Sequence, residues 1–389
     1  MDLKKFIKEK QIIVCCGSGG VGKTTISATI ALQGAIMGKK AIVCTIDPAK
    51  RLANSLGLHA LGNDETLVSP TKFDEVGLKV KGELYAMMLD NKRTFDDLVE
   101  KYAPTEEIRD AIFNNTYYQQ FSGALAGSQE YMAMEKLYEL YQKGVYDLIV
   151  LDTPPTRHAL EFLDAPKRLT DFLDDSTLQW FIKPYFAVGK LGFNILKRAT
   201  AKGFTILERI TGLQVLKDIS DFILSFSGMY DGFKQRASKV NELFRDEHVV
   251  FFLVNSTDQP SIEEAKYFYK RLKEGEMPFG GFIINKVHLD SDGLRQDFEK
   301  KEEFLSSILE VIPVEKREGW TPTIKKMIEN YEKFLILSKR DLLCIKELKA
   351  IDNGKNNLKL IPHLERDIYD IDGLMAMNQQ LFENPDLNI

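Results

Sequence analysis

The chain has 389 residues, 44% of them hydrophobic and 28% charged, a balance that excludes a disordered or fibrous polypeptide and supplies enough apolar surface for a large core. Its net charge of −5 offers no global positive field to recruit nucleic acid or an anionic membrane, so no nucleic-acid partner is expected. The four cysteines, two of them adjacent as Cys15 and Cys16, form neither a spaced disulfide framework nor a Cys-x-x-Cys clip, which fits a reducing cytoplasm.

In chain order, the lysine-rich Met1–Lys10 is followed by only a short apolar run, Ile12–Cys16, too brief for a signal-peptide core. No uncharged run reaches the roughly 18 residues of a membrane span, so the expected location is cytoplasmic, at most peripheral at a membrane. Ile12–Cys16 is instead a predicted strand, Thr24–Met37 a helix closed by Gly38, and Ala41–Ile46 a second strand. A long connection from about Gly57 to Gly144 contains a strand near Leu84–Met88 and a helix Ser128–Gln142 with Met134, Leu137, Tyr138 and Tyr141 on one face. The strand Leu148–Leu151 precedes a second long connection, from Asp164 to about Asp246. There Val215, Ile219, Phe222 and Phe226 mark an amphipathic helix within the aromatic and basic stretch Phe172–Phe233. Val249–Val254, a helix Ser261–Glu274 introduced by Pro260, the strand Phe282–Ile284 and a candidate sixth short run Leu358–Ile361 complete the pattern. Continuous rather than alternating apolarity predicts strands covered on both faces, as in a parallel sheet flanked by helices.

Between the first strand and the first long helix stands Gly17-Ser18-Gly19-Gly20-Val21-Gly22-Lys23-Thr24, which satisfies G-x-x-x-x-G-K-[ST] in strand–loop–helix context. Such a loop turns backbone N–H groups and a helix N-terminus toward a phosphate, while Lys23 reaches the β and γ oxygens and Thr24 ligates Mg2+. Asp47, after the second strand, and Asp152, after Leu148–Leu151, stand at strand C-termini, where open α/β sheets bind ligands. Asp152 is the candidate Walker B carboxylate, holding the Mg2+ hydration shell, and Asp47 the candidate that orients the attacking water. Asn285-Lys286-Val287-His288 resembles a base-reading N-K-x-D element without the aspartate that would accept both guanine donors, so adenine is the expected base.

On these residues the chain resembles the ArsA/GET-pathway ATPases, a dimeric P-loop class that includes arsenite-pump ATPases and tail-anchored-protein targeting factors. Gly19-Gly20-Val21-Gly22-Lys23-Thr24-Thr25 matches the phosphate loop, Asp47-Pro48-Ala49 switch I, and Asp152-Thr153-Pro154-Pro155-Thr156-Arg157-His158 switch II, while Ile361-Pro362-His363-Leu364 resembles the adenine-side loop. The resemblance implies a mostly parallel, doubly wound α/β sheet with an inserted α-helical subdomain, ATP and Mg2+ as cofactors, and Asp47, Lys23 and Asp152 as catalytic residues. It further implies nucleotide contacts by Gly19, Gly20, Val21, Gly22, Lys23, Thr24, Thr25, Asn285 and Pro362, with Thr24, Asp47 and Asp152 around the metal, the two aspartates through water. Relatives usually carry a lysine where this chain has Ser18, and that lysine crosses a dimer interface to the partner's phosphates. Its replacement leaves the trans charge to a paralogous subunit or to Arg51 or Arg157.

The motif order runs from Gly17 to Asn285, with a last contribution near Pro362. Residues 1–389 therefore read as one nucleotide-binding domain whose insertions at about 90–143 and 165–245 form the helical subdomain. The expectation is an ATP-hydrolysing dimeric switch, homodimeric or paired with a paralogous subunit, coupled to a groove for an apolar helix of a protein client or to a membrane partner. Basic residues such as Lys190, Lys197, Arg198 and Lys202 would assist at an anionic surface. The alternative is a low-turnover, nucleotide-binding regulatory half of a heterodimer. Arsenite pumping is disfavoured, because a metalloid site needs converging thiolates and the cysteines are dispersed among predicted core strands and a distant helix.

Overall fold

The computed structural model describes residues 1–46, 51–115, 118–119, 128–154, 229–288, 310–311, 313–351, 357–364 and 367–383. Asp47, the segment Pro155–His158 and the predicted helix Val215–Phe226 lie outside them. The described elements are α1 (Leu3–Glu9), β1 (Ile12–Cys16), α2 (Lys23–Ile36), β2 (Lys40–Thr45), α3 (Arg51–Ser55), β3 (Thr66–Leu67), α4 (Pro70–Glu75), β4 (Glu83–Met88), α5 (Asn91–Tyr102) and α6 (Glu106–Phe113). They continue with α7 (Ser128–Lys143), β5 (Leu148–Asp152), α8 (Tyr230–Leu243), β6 (Val249–Asn255), α9 (Gln259–Glu274), β7 (Phe279–Val287), α10 (Val314–Ala350), β8 (Leu358–Pro362) and α11 (Ile371–Phe382).

The eight strands form one sheet in the order β3-β4-β2-β5-β1-β6-β7-β8. All neighbours are parallel except the two-residue edge strand β3, which runs antiparallel to β4. Parallel strands demand crossovers that cover both faces, and the side chains divide accordingly. Ile12, Val14 and Cys16 pack with α5, α7, α8 and α9, whereas Ile13 and Cys15 pack with α1, α2 and α11. Both faces of β1 are therefore dry, which explains its continuous apolar run. Each fully buried Ile, Val or Phe in these layers contributes about 1.5–3 kcal/mol.

Local signals set the helix ends. Asp258 caps α9 by accepting from the Ser261 N–H at 3.0 Å, with Pro260 in the first turn, where its missing donor costs nothing. Gly38, at φ +94, follows the last residues of α2 in the left-handed conformation that closes a helix. On the face opposite α2, Glu135 of α7 is buried against Arg236 of α8. Arg236 also donates to the Tyr102 hydroxyl of α5 and lies over the Tyr102 ring, 4.6 Å from its centroid. A buried ion pair thus joins the helices that precede β5 and β6. The 37-residue α10 carries Cys344, which the sequence places on a helix, but its length was not expected, since Gly319, Pro322 and a dense charge pattern obscure its helical period. Its buried residues Asp341, Cys344, Ile345 and Leu348 recur at spacings of three and four.

Candidate functional site

β1 lies at the middle of the sheet, between β5 and β6, so residues following it emerge into the crevice above the strand C-termini. Residues 17–22 form a tight loop there, and three of its glycines are required sterically. A Cβ on Gly17 would stand 2.0 Å from the Val254 carbonyl oxygen of β6. Gly20 and Gly22 have φ +79 and +96, and a Cβ on Gly22 would also meet the Asn285 side-chain nitrogen at 2.4 Å. Gly22 caps α2, leaving the first N–H groups of that helix directed at the loop. Lys23 is buried and its Nζ donates to the Ser18 carbonyl at 2.8 Å, so the ammonium group closes the ring of the loop.

Beneath the loop, the sheet register aligns Cys15 with Asp152 and Asp152 with Thr45. One oxygen of the buried Asp152 carboxylate accepts from Thr24 Oγ1 at 2.6 Å and from Thr45 Oγ1 at 2.8 Å. Thr153 donates through its N–H and its hydroxyl to the Cys15 carbonyl, at 3.2 and 2.9 Å, and ties the end of β5 to that of β1. Hydroxyl and carboxylate oxygens at hydrogen-bond distance are the hard donor set that Mg2+ selects, and among the described residues no three His, Cys, Asp or Glu side chains gather to hold a metal. Such a site suits a cation that takes one or two protein oxygens and completes its shell with phosphate and water.

On the other flank, Asn285 ends the apolar run of β7. Its buried amide donates to the Val21 carbonyl at 2.8 Å, and its Oδ1 accepts from the Lys286 N–H at 2.9 Å. Pro362, at the end of β8, pairs with Val287, so the two residues expected near a base stand at the ends of adjacent strands. His288 follows, stacked on His363 with ring centroids 5.5 Å apart. Its backbone N–H and ring Nδ1 meet Asp341 Oδ2 of α10 at 2.9 and 2.8 Å.

The family comparison bears on this arrangement of loop, buried lysine and strand-end carboxylate. The model for the family described as Anion-transporting ATPase matches residues 10–318. The chain belongs to that family. Among relatives, the ATPase GET3 of Malassezia globosa is 30% identical over 178 residues, 44% of this chain and 48% of that protein. An ATPase ASNA1 homolog of Plasmodium berghei is 22% identical over 395 residues, which span 100% of this chain and 92% of the relative. A Halobacterium salinarum protein, provisionally named an arsenical pump-driving ATPase, is 30% identical over 175 residues, 44% of this chain and 26% of that protein. The chain thus spans about half of the Malassezia relative, a quarter of the Halobacterium one and nearly all of the Plasmodium one. Membership in this ATPase family makes ATP the nucleotide.

In this chain Ser18 is turned inward. Its hydroxyl lies 3.0 Å from that of the buried Ser261 at the start of α9, and Ser261 Oγ accepts from the Ser256 N–H at 3.2 Å. Arg51 opens α3 and is exposed, and Arg157 lies outside the described residues. The four cysteines are free and buried. Desolvation pushes the Cys15 thiol up to about 12, partly offset by a hydrogen bond with Ser27, and also raises Cys16, Cys44 and Cys344. They are neutral thiols at physiological pH.

Sequence reading missed Asp341, 53 residues from His288. Burial alone would raise its carboxyl, but bonds from the His288 N–H and ring, Thr257 and Arg340 outweigh this and hold it below the usual carboxylate range. A depressed folded-state value stabilises the protein above the unfolded value and is lost as pH falls through the folded one. Stability measured by urea titration is therefore expected to decline below about pH 4, and Asp341→Asn to lessen that decline while lowering stability at neutral pH.

Proposed function

We propose that the site binds Mg2+·ATP and hydrolyses it, and that the protein is a dimeric switch whose nucleotide state is read by a helical subdomain. The reading is carried by the Thr24–Asp152 hydrogen bond beside the buried ammonium of Lys23. In this reading the loop N–H groups from Gly19 to Thr25 hold the phosphates, and Lys23 leaves the Ser18 carbonyl for the β and γ oxygens. Thr24 would hold the metal and Asp152 would hold it through water. Mg2+, when bound, would supply positive charge that offsets that of the phosphates. Asp47 orients the attacking water, and Lys23 neutralises charge developing on the transferred phosphoryl group. Asn285 and Pro362 flank the adenine.

The domain reading is one unit of residues 1–389 with helical insertions at about 90–143 and 165–245. It is supported by the sheet, which draws strands from Ile12 to Pro362, and by the Glu135–Arg236 pair, which joins the ends of the two insertions. The proposed occupant of the helical subdomain is an apolar helix of a membrane-destined protein or a membrane partner, as the resemblance to tail-anchored-protein targeting factors implies. The protein is proposed to act in the cytoplasm, at most peripherally at the membrane. No helix among the described residues is long and apolar enough to cross a membrane.

A second reading, a low-turnover regulatory half of a heterodimer with a paralogous ATPase, is favoured by the inward Ser18–Ser261 contact, which places no cation at that position. Metalloid transport is not favoured, because the four thiols are buried and protonated.

The Asp47→Asn variant tests the main reading. It is expected to bind ATP and to hydrolyse it about 10²–10⁴-fold more slowly in single-turnover assays, and wild-type turnover in this variant removes Asp47 from the role. If the wild-type protein binds ATP but turns over negligibly at every protein concentration, the regulatory reading replaces the first.

A further inference from the structure

At the end of β7 the alternation of side chains is broken. Successive strand residues point to opposite faces, but the β7–β8 register shifts between Ile284 and Val287, and Lys286 adopts φ +60. A left-handed conformation is unfavourable for a residue with a Cβ and persists only where its surroundings enforce it. Here it is fixed by the Lys286 N–H donating to Asn285 Oδ1 at 2.9 Å. The consequence is that two consecutive side chains address the same loop. Asn285 donates to the Val21 carbonyl at 2.8 Å, and the exposed Lys286 donates through Nζ to the Gly20 carbonyl at 3.1 Å.

Lys23 holds the Ser18 carbonyl from within at 2.8 Å. The carbonyls of residues 18, 20 and 21 are therefore each engaged by a side-chain donor, two of these being ammonium groups. Carbonyls held in this way cannot swing inward, where they would repel phosphate oxygens, and the loop N–H groups remain turned to the centre. Gly20 needs this support most, because a Cβ built there meets nothing within 4 Å.

We propose that Lys286 is a positioning residue of the phosphate loop, which fixes the Gly20 peptide before nucleotide arrives and places a second cation at the rim of the loop. The inference rests on the nucleotide reading given above. It requires Lys286 to act on affinity for any nucleotide that carries a β-phosphate, ADP as well as ATP, rather than on the chemical step.

The test separates the ammonium group from the backbone. Glycine accepts φ +60 without strain, so Lys286→Gly keeps the left-handed turn and removes only the side chain. Its thermal midpoint is expected to equal or exceed that of the wild type. Its Kd for ATP and for ADP, by calorimetric titration with Mg2+, is expected to rise about tenfold, the low end for a charged donor because the group is solvent-exposed. KM should rise in step, with a much smaller change in turnover at saturation. Lys286→Arg should recover most of the affinity. Wild-type affinity in Lys286→Gly, or a fall in turnover with KM unchanged, overturns the inference. Should Lys286→Gly prove unstable, Lys286→Asn, which also tolerates the left-handed region, gives the same comparison. A wild-type protein that bound neither ATP nor ADP would instead remove the nucleotide reading itself.

Discussion

Replacing Lys23 with alanine is expected to weaken ATP binding by about two to three orders of magnitude, measured by calorimetric titration. The ammonium group is buried, with the residue 7% exposed, and its Nζ lies 2.8 Å from the Ser18 carbonyl at the base of the loop. Each hydrogen bond to a charged partner contributes about 1.5–3 kcal/mol. Two such bonds to phosphate oxygens amount to about 3–4 kcal/mol at the low end, and every 1.4 kcal/mol is about tenfold in affinity. The loss should be far larger than for Lys286→Gly, because Lys23 meets phosphate directly in a desolvated pocket. Lys23→Arg is not expected to restore binding, since a planar guanidinium is bulkier than the compact ammonium it replaces. An alanine variant that bound ATP within a few-fold of wild type would remove the loop from the phosphate role.

The largest effect on stability is expected from Gly17→Ala, at no less than about 3 kcal/mol by urea denaturation. The added methyl group would lie 2.0 Å from the Val254 carbonyl oxygen and 3.4 Å from a Val21 methyl carbon. The first of these atoms belongs to the backbone of a central strand hydrogen-bonded on both sides, so no rotamer change relieves the overlap. Against a typical total of about 5–15 kcal/mol, that is a substantial share. Gly20→Ala provides the contrast. Its Cβ meets nothing, and the cost is limited to the left-handed backbone at φ +79, about 1–2 kcal/mol. Equal losses at the two positions would show that packing against β6 does not govern the first glycine.

Much of this architecture was legible in the amino-acid sequence because the parallel strands are dry on both faces. Ile12–Cys16 is a strand with those same bounds, and Ala41–Ile46, Leu148–Leu151 and Val249–Val254 differ from the observed strands by a residue at one or both ends. Phe282–Ile284 was too short, since β7 begins at Phe279. Gly280 lies within the strand, at a position where a Cβ would meet the Phe252 ring and a Val250 methyl group at 2.6 Å. The edge strand β3 has two residues, too few to show any period. The phosphate loop was readable because strand, glycines and helix are contiguous. The supports around it were not, because Asn285 to Val21, Ser18 to Ser261 and His288 to Asp341 join residues distant in the chain.

The placement of β1 has a consequence for biosynthesis. Its partners on either side are β5, ending at Asp152, and β6, ending at Asn255. β1 therefore leaves the ribosome well before either neighbour, and its second edge is covered only once Asn255 has been made. At about 5–20 residues per second, some tens of seconds separate the appearance of Ile12 from that of Asn255. During that interval Ile-Ile-Val-Cys-Cys, uncharged and of high strand propensity, carries unsatisfied edge groups of the kind that recruit other nascent chains. A protein whose phosphate loop must follow its central strand accepts this exposure as a condition of its topology. Its yield in the cell should depend on factors that shield short apolar segments during translation as much as on the stability of the finished fold.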